Sequence, residues 1–123
     1  MARILLAEDE EALRALIARA LADAGHEVVT AADGARALEI IARESGRFEL
    51  LLTDIKMPLM DGIALALSVA RDHPGIIILL MTAYADQRER AANLDALIHA
   101  VILKPFTLAE IKAAVAAALA AKR

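Results

Sequence analysis

Five short apolar runs punctuate this chain, and stretches with helical spacing follow them. The third run constrains the fold most. Leu50-Leu51-Leu52-Thr53 ends on Asp54, and the chain then breaks into a loop that holds Pro58 and Gly62. A short apolar run bounded by turn residues fits a strand covered on both faces. Pro58 and Gly62 stop regular structure just after the acid. Asp54 is therefore expected at the carboxyl edge of a parallel sheet, where such sheets bind ligands at a topological switch point.

The other runs fit the same plan. Strands are expected at 3–7, 26–31, 50–53, 76–81 and 100–103. The spacing of Leu13, Leu16, Ile17, Ala20, Leu21 and Ala24 predicts a helix over 11–24, closed by Gly25. A second helix starts at Asp33 or Gly34, buries Ala37, Leu38 and Ile41, and ends at Ser45-Gly46. A third runs from Asp61 or Gly62 to about residue 72, with Ile63, Ala66, Leu67 and Ala70 inward. The segment 86–94 is the most polar candidate, with Arg88, Glu89 and Arg90 on a solvated face, and is expected to be the least stable helix. Thr107 and Glu110 form a capping box, opening a last helix that buries Ile111, Val115, Ala118 and Leu119. Strands alternating with helices imply a doubly wound α/β fold, a five-stranded parallel sheet with five helices.

Length and charge narrow the function. At 123 residues the chain suits one domain, residues 1–123. It holds no apolar segment of the roughly 18 residues that span a membrane and no signal-peptide pattern. A net charge of -3 and 2% aromatic residues argue against nucleic-acid binding. With no Cys, disulfides and thiolate metal sites are excluded. A cytoplasmic monomer is expected, without membrane or nucleic-acid partners. His26, His73 and His99 are scattered, so they are read as surface residues with no ligand role.

Four of the five strands end on or just before polar side chains: Glu8 and Asp9, Asp54, Thr82, and Lys104. In a parallel sheet these ends share one edge. Alone, Asp9 or Asp54 would more often cap a helix or form a turn, and a Thr ending a strand is commonplace. Their convergence changes the reading. Three carboxylates in one place repel one another, and a hard divalent cation such as Mg²⁺ relieves that with oxygen ligands. A carboxylate beside a metal, a Lys and a Thr suits phosphoryl chemistry, with Asp54 as nucleophile.

Leu5-Leu6-Ala7-Glu8-Asp9, the run 51–62, Met81-Thr82-Ala83 and Lys104-Pro105-Phe106 carry a resemblance in their order and spacing. Over essentially its whole length the chain resembles the receiver domain of two-component response regulators, the flavodoxin-like fold of the stand-alone chemotaxis regulator. The resemblance implies that Asp54 accepts a phosphoryl group from a phosphohistidine on a histidine kinase or histidine phosphotransfer protein. It implies that Asp9, Asp54 and the main-chain carbonyl of Lys56 bind Mg²⁺, with Glu8 acting through water. Lys104 would pair with the phosphoryl group, the Thr82 hydroxyl would swing toward it, and hydrolysis would reset the switch. Such a chain catalyses only its own phosphorylation and dephosphorylation and is not otherwise an enzyme.

Many receivers carry Tyr or Phe three residues before the Lys, where this chain has Val101; Tyr84 is a candidate substitute reporter. The sequence ends after the last predicted helix, so output is expected through a protein contact. The run 86–99 with Val101 is similar to the CpdR type of stand-alone receiver, a phosphorylation-gated adaptor for ClpXP, which makes ClpX a candidate target. Three other readings compete. A haloacid-dehalogenase-like phosphatase needs a second Asp two residues after the nucleophile, and Lys56 stands there. A flavodoxin-like cofactor binder needs a glycine-rich loop after the first strand, where Glu8 and Asp9 stand instead. A pseudo-receiver that binds without phosphorylation would not need the acid, Thr and Lys set this chain retains.

Overall fold

A computed structural model gives the fold and describes residues 1–83, 91, 94 and 96–122. The elements run β1 (Arg3–Ala7), α1 (Glu11–Asp23), β2 (Glu27–Ala31), α2 (Gly34–Arg43), β3 (Leu50–Asp54), α3 (Gly62–Asp72), β4 (Ile77–Thr82), β5 (Ala100–Leu103) and α4 (Leu108–Lys122). All strand pairs are parallel, in the order β2-β1-β3-β4-β5. The chain steps outward from β1 to β2 and then crosses back to β3. The switch point therefore lies between the ends of β1 and β3, beside Glu8, Asp9 and Asp54.

Two apolar layers sandwich the sheet, and strand alternation sorts residues between them. Leu5, Leu51, Ile78 and Leu80 face α2 and α3, packing on Ala37, Ile41, Ile63, Leu65 and Val69. Ile4, Leu6, Leu50, Leu52, Leu79 and Met81 face α1 and α4, packing on Ile17, Leu21, Ile111 and Val115. Three helix starts match their residues. Asp33 accepts from the Arg36 N–H at 2.8 Å, and Asp61 accepts from the Ala64 N–H at 2.9 Å. Thr107 and Glu110 satisfy each other's N–H groups at 3.0 and 3.1 Å.

Two helix faces differ from expectation. Leu16 is 55% exposed and Leu67 is 44% exposed, while Leu65 and Val69 are fully buried. The sequence of α3 is almost continuously apolar, so several stripes fit it, and contact with α2 and the sheet selects one. His26 also differs: it is half-buried, and its Nδ1 accepts from the Ala2 N–H at 3.1 Å. The helix expected over 86–94, with Arg88, Glu89 and Arg90, lies outside the described residues apart from Ala91 and Leu94, and the described residues hold four helices. Among the described residues no helix is long and apolar enough to cross a membrane.

Candidate functional site

The site forms where β1, β3 and β5 run out. The Glu8 N–H donates to the Ala31 carbonyl at 3.1 Å, which carries the β1 register one residue past the strand. Its side chain then turns inward, 1% exposed, and accepts from the Glu10 N–H at 3.1 Å. Arg14 Nη1 donates to the Glu8 carbonyl at 2.8 Å, tying the first turn of α1 to the same residue. Asp9 is exposed at the rim. Asp54 ends β3 and is 6% exposed; the next N–H, from Ile55, donates to the Met81 carbonyl at 3.0 Å. The Lys104 N–H donates to the Thr82 carbonyl at 2.8 Å, which aligns the ends of β5 and β4.

Lys104 reaches across this edge. Its Nζ lies 2.7 Å from Asp54 Oδ2 and 3.3 Å from Glu8 Oε1. Carboxylate oxygens of Glu8, Asp9 and Asp54 all lie within 4.8 Å of one another. The Lys104 ammonium thus bridges two of three clustered carboxylates. Burial pushes the Glu8 pKa up to about 7, with the Asp54 charge adding to the rise, against the pull of the Glu10 N–H and Lys104. For Lys104, burial acts to lower the pKa, but the hydrogen bond and charge of Asp54 and the charge of Glu8 outweigh it and raise the pKa.

The donor set is all oxygen, compact and electrostatically unbalanced, which fits a hard divalent cation. Glu8, Asp9, Asp54 and Lys56 line one cleft of about 480 Å³ together with Glu10, Ala83 and Lys104. Five of the residues expected at the site are thus brought together. Thr82 is fully buried at the end of β4, and its neighbour Ala83 lines the cleft. Val101 is half-buried on β5 opposite Leu80, against the layer beneath α2 and α3. Tyr84 lies outside the described residues.

Sequence reasoning passed over the supports behind these groups. Thr53 is fully buried, and its hydroxyl donates to the Asp54 carbonyl at 2.9 Å. A Cβ on Gly62 would lie 2.1 Å from the Asp54 carbonyl oxygen, so only glycine lets α3 start against the end of β3. A Thr in an otherwise all-Leu run was the visible signal for the first. The close approach of Gly62 had none.

The family model of the response regulator receiver domain matches residues 4–116. The chain belongs to this family. The receiver is 36% identical over 109 residues to the transcriptional regulatory protein TcrA of Mycobacterium tuberculosis, covering 89% of this chain and 42% of that protein. It is 37% identical over 117 residues to the response regulator MprA of Mycobacterium leprae, covering 95% of this chain and 50% of that one. The chain thus spans half or less of the length of these curated relatives. Among solved structures, the receiver is similar to the response regulator TrrA of Thermotoga maritima in complex with Mg²⁺ and BeF. That match has 31% identity and a TM-score of 0.83, and covers 95% of this chain and 98% of that one.

Proposed function

We propose that this receiver accepts a phosphoryl group on Asp54 from a phosphohistidine of a histidine kinase or histidine phosphotransfer protein and signals through a protein contact. One observation carries the reading: three carboxylates lie within 4.8 Å of one another, and a single Lys104 spans two of them. An Asp54 carboxylate oxygen forms the new O–P bond as the P–N bond breaks, and the imidazole leaves with the electron pair. Lys104 already sits within hydrogen-bond distance of Asp54, placed to accompany the incoming oxygens. Glu8, Asp9, Asp54 and the Lys56 carbonyl would hold Mg²⁺, which when bound supplies charge neutralisation to the transferring group. Water later cleaves the acyl phosphate and returns Asp54, so the chain acts only on its own modification.

The Thr82 hydroxyl, starting from its buried position, is the proposed mover, and the added charge selects the loop arrangement that pairs it. The narrower reading, a cytoplasmic CpdR-type adaptor acting through ClpX, is supported by the likeness of 86–99 and Val101 to that type.

Intact mass after treatment with acetyl phosphate and Mg²⁺ tests the chemistry, on the wild type and Asp54→Ala. A gain of one phosphoryl group, lost with EDTA and in the variant, is expected. No adduct under conditions that label a control receiver would replace this reading with the pseudo-receiver.

A further inference from the structure

The loop of residues 55–61 carries Lys56 and Pro58 from β3 to α3, and it is gripped from two sides. At its exit, the Gly62 N–H donates to the Ile55 carbonyl at 2.7 Å. From the other side comes a different helix. A Cβ on Gly34, the first residue of α2, would lie 2.2 Å from the Met60 carbonyl oxygen and 3.0 Å from both its carbonyl carbon and its Cβ. Side chains do not approach backbone so closely. The first turn of α2 therefore rests directly on the loop's main chain.

Conformation is not what demands glycine here, because Gly34 is absent from the positive-φ residues. On helix propensity alone, alanine would be the better residue. The contact itself excludes a side chain. The end of α2 that makes it is held by Asp33, which is 6% exposed and caps the helix through the Arg36 N–H. The loop in turn holds a residue it would not hold unaided: Leu59, with φ 67, is a non-glycine residue in the left-handed region and is 83% exposed. Backbone of that kind persists where the surroundings impose it.

We propose that Gly34 is a positioning residue for the metal and phosphoryl site. Its lack of a side chain lets α2 brace Met60 and so keeps the loop where the Lys56 carbonyl serves the ion. This inference rests on the function proposed above. It makes α2, which contributes no ligand, part of what sets cation affinity.

The test is Mg²⁺ affinity by calorimetric titration, with thermal unfolding in parallel, for the wild type, Gly34→Ala and Gly75→Ala. A Cβ at Gly75 would meet nothing within 4 Å, so that variant controls for the glycine exchange itself. Gly34→Ala is expected to bind Mg²⁺ roughly 10-fold more weakly while folded, as when the support behind a metal ligand is moved, and Gly75→Ala to bind as the wild type does. A folded Gly34→Ala with wild-type affinity overturns the proposal, since a purely structural role would move only the melting temperature. Should Gly34→Ala not fold, amide NMR of the wild type decides: saturating Mg²⁺ must shift Gly34 and Ala35 along with Lys56, and shifts at Lys56 alone overturn the brace. A wild type that neither binds Mg²⁺ nor takes a phosphoryl group fails the functional reading itself and takes this inference with it.

Discussion

The two ends of the sheet both carry polar clusters, and they are built on opposite principles. At the amino edge, Arg3 on β1 donates to Glu27 Oε2 at 2.6 Å, to Glu44, and to the Arg47 carbonyl at 2.8 Å, and its guanidinium lies 4.3 Å from the Phe48 ring centroid. One cation meets two acids, a carbonyl and a π-face. Each of its three guanidinium nitrogens donates a hydrogen bond. At the carboxyl edge, Lys104 serves a buried Glu8 and Asp54 with Asp9 alongside, and burial there pushes the Glu8 pKa up. The first cluster is complete in itself. The second is left short of positive charge, which is the condition under which a cation and then a phosphoryl group can add something.

The sharpest way to break this contrast is to remove the Lys104 ammonium. Lys104→Ala leaves two buried carboxylates facing each other, and the metal-free protein is expected to lose roughly 3 kcal/mol or more in urea unfolding. Added Mg²⁺ should restore a large part of that loss. A variant as stable as the wild type without metal would mean the carboxyl edge is not unbalanced.

A second test uses pH. Because burial pushes the folded Glu8 pKa up to about 7 from the ordinary 4.5 of a glutamate, the native state binds the proton more tightly than the unfolded chain does. The stability this contributes is full below about 4.5 and is lost as pH rises toward 7. Metal-free unfolding free energy should therefore decline across that window, by an amount on the order of 3 kcal/mol or less. Comparing Glu8→Gln isolates this component, since the variant should lack the decline.

Smaller effects belong to the balanced parts. Arg3→Ala should lower the unfolding midpoint by less than Lys104→Ala does, at every pH between 5 and 8, and Mg²⁺ should not rescue it. Dependence of its loss on Mg²⁺ would erase the distinction between the two edges. Thr107→Ala opens the capping box on α4 and should cost about 1 kcal/mol, with phosphoryl uptake unchanged.

The strands were legible because each is a short apolar run with a polar or turn-forming stop, and the observed limits lie within one residue of those expected. Glu8, Asp9, Asp54 and Lys104 were legible for a related reason: once strands are parallel, their last residues must share an edge. Ala-rich and Leu-rich helices were harder. In α3 almost any face is apolar, so the exposed position of Leu67 and the buried one of Leu65 depend on where α2 lies. The supporting contacts were invisible for a different reason. Nothing near residue 34 announces Met60, and nothing near residue 3 announces Glu44.

By itself, then, the sequence determined the kind of fold, the edge where chemistry gathers, and the acids and lysine that gather there, because those follow from periodicities of two and 3.6 and from strand direction. Tertiary structure decided the rest. It chose which carboxylate Lys104 holds closest, raised Glu8 toward neutrality, buried Thr82 behind the cleft, and set α2 against the loop after β3. These depend on distances of a few ångströms between residues far apart in the chain, where burial and Coulomb energy vary steeply and local pattern carries no information.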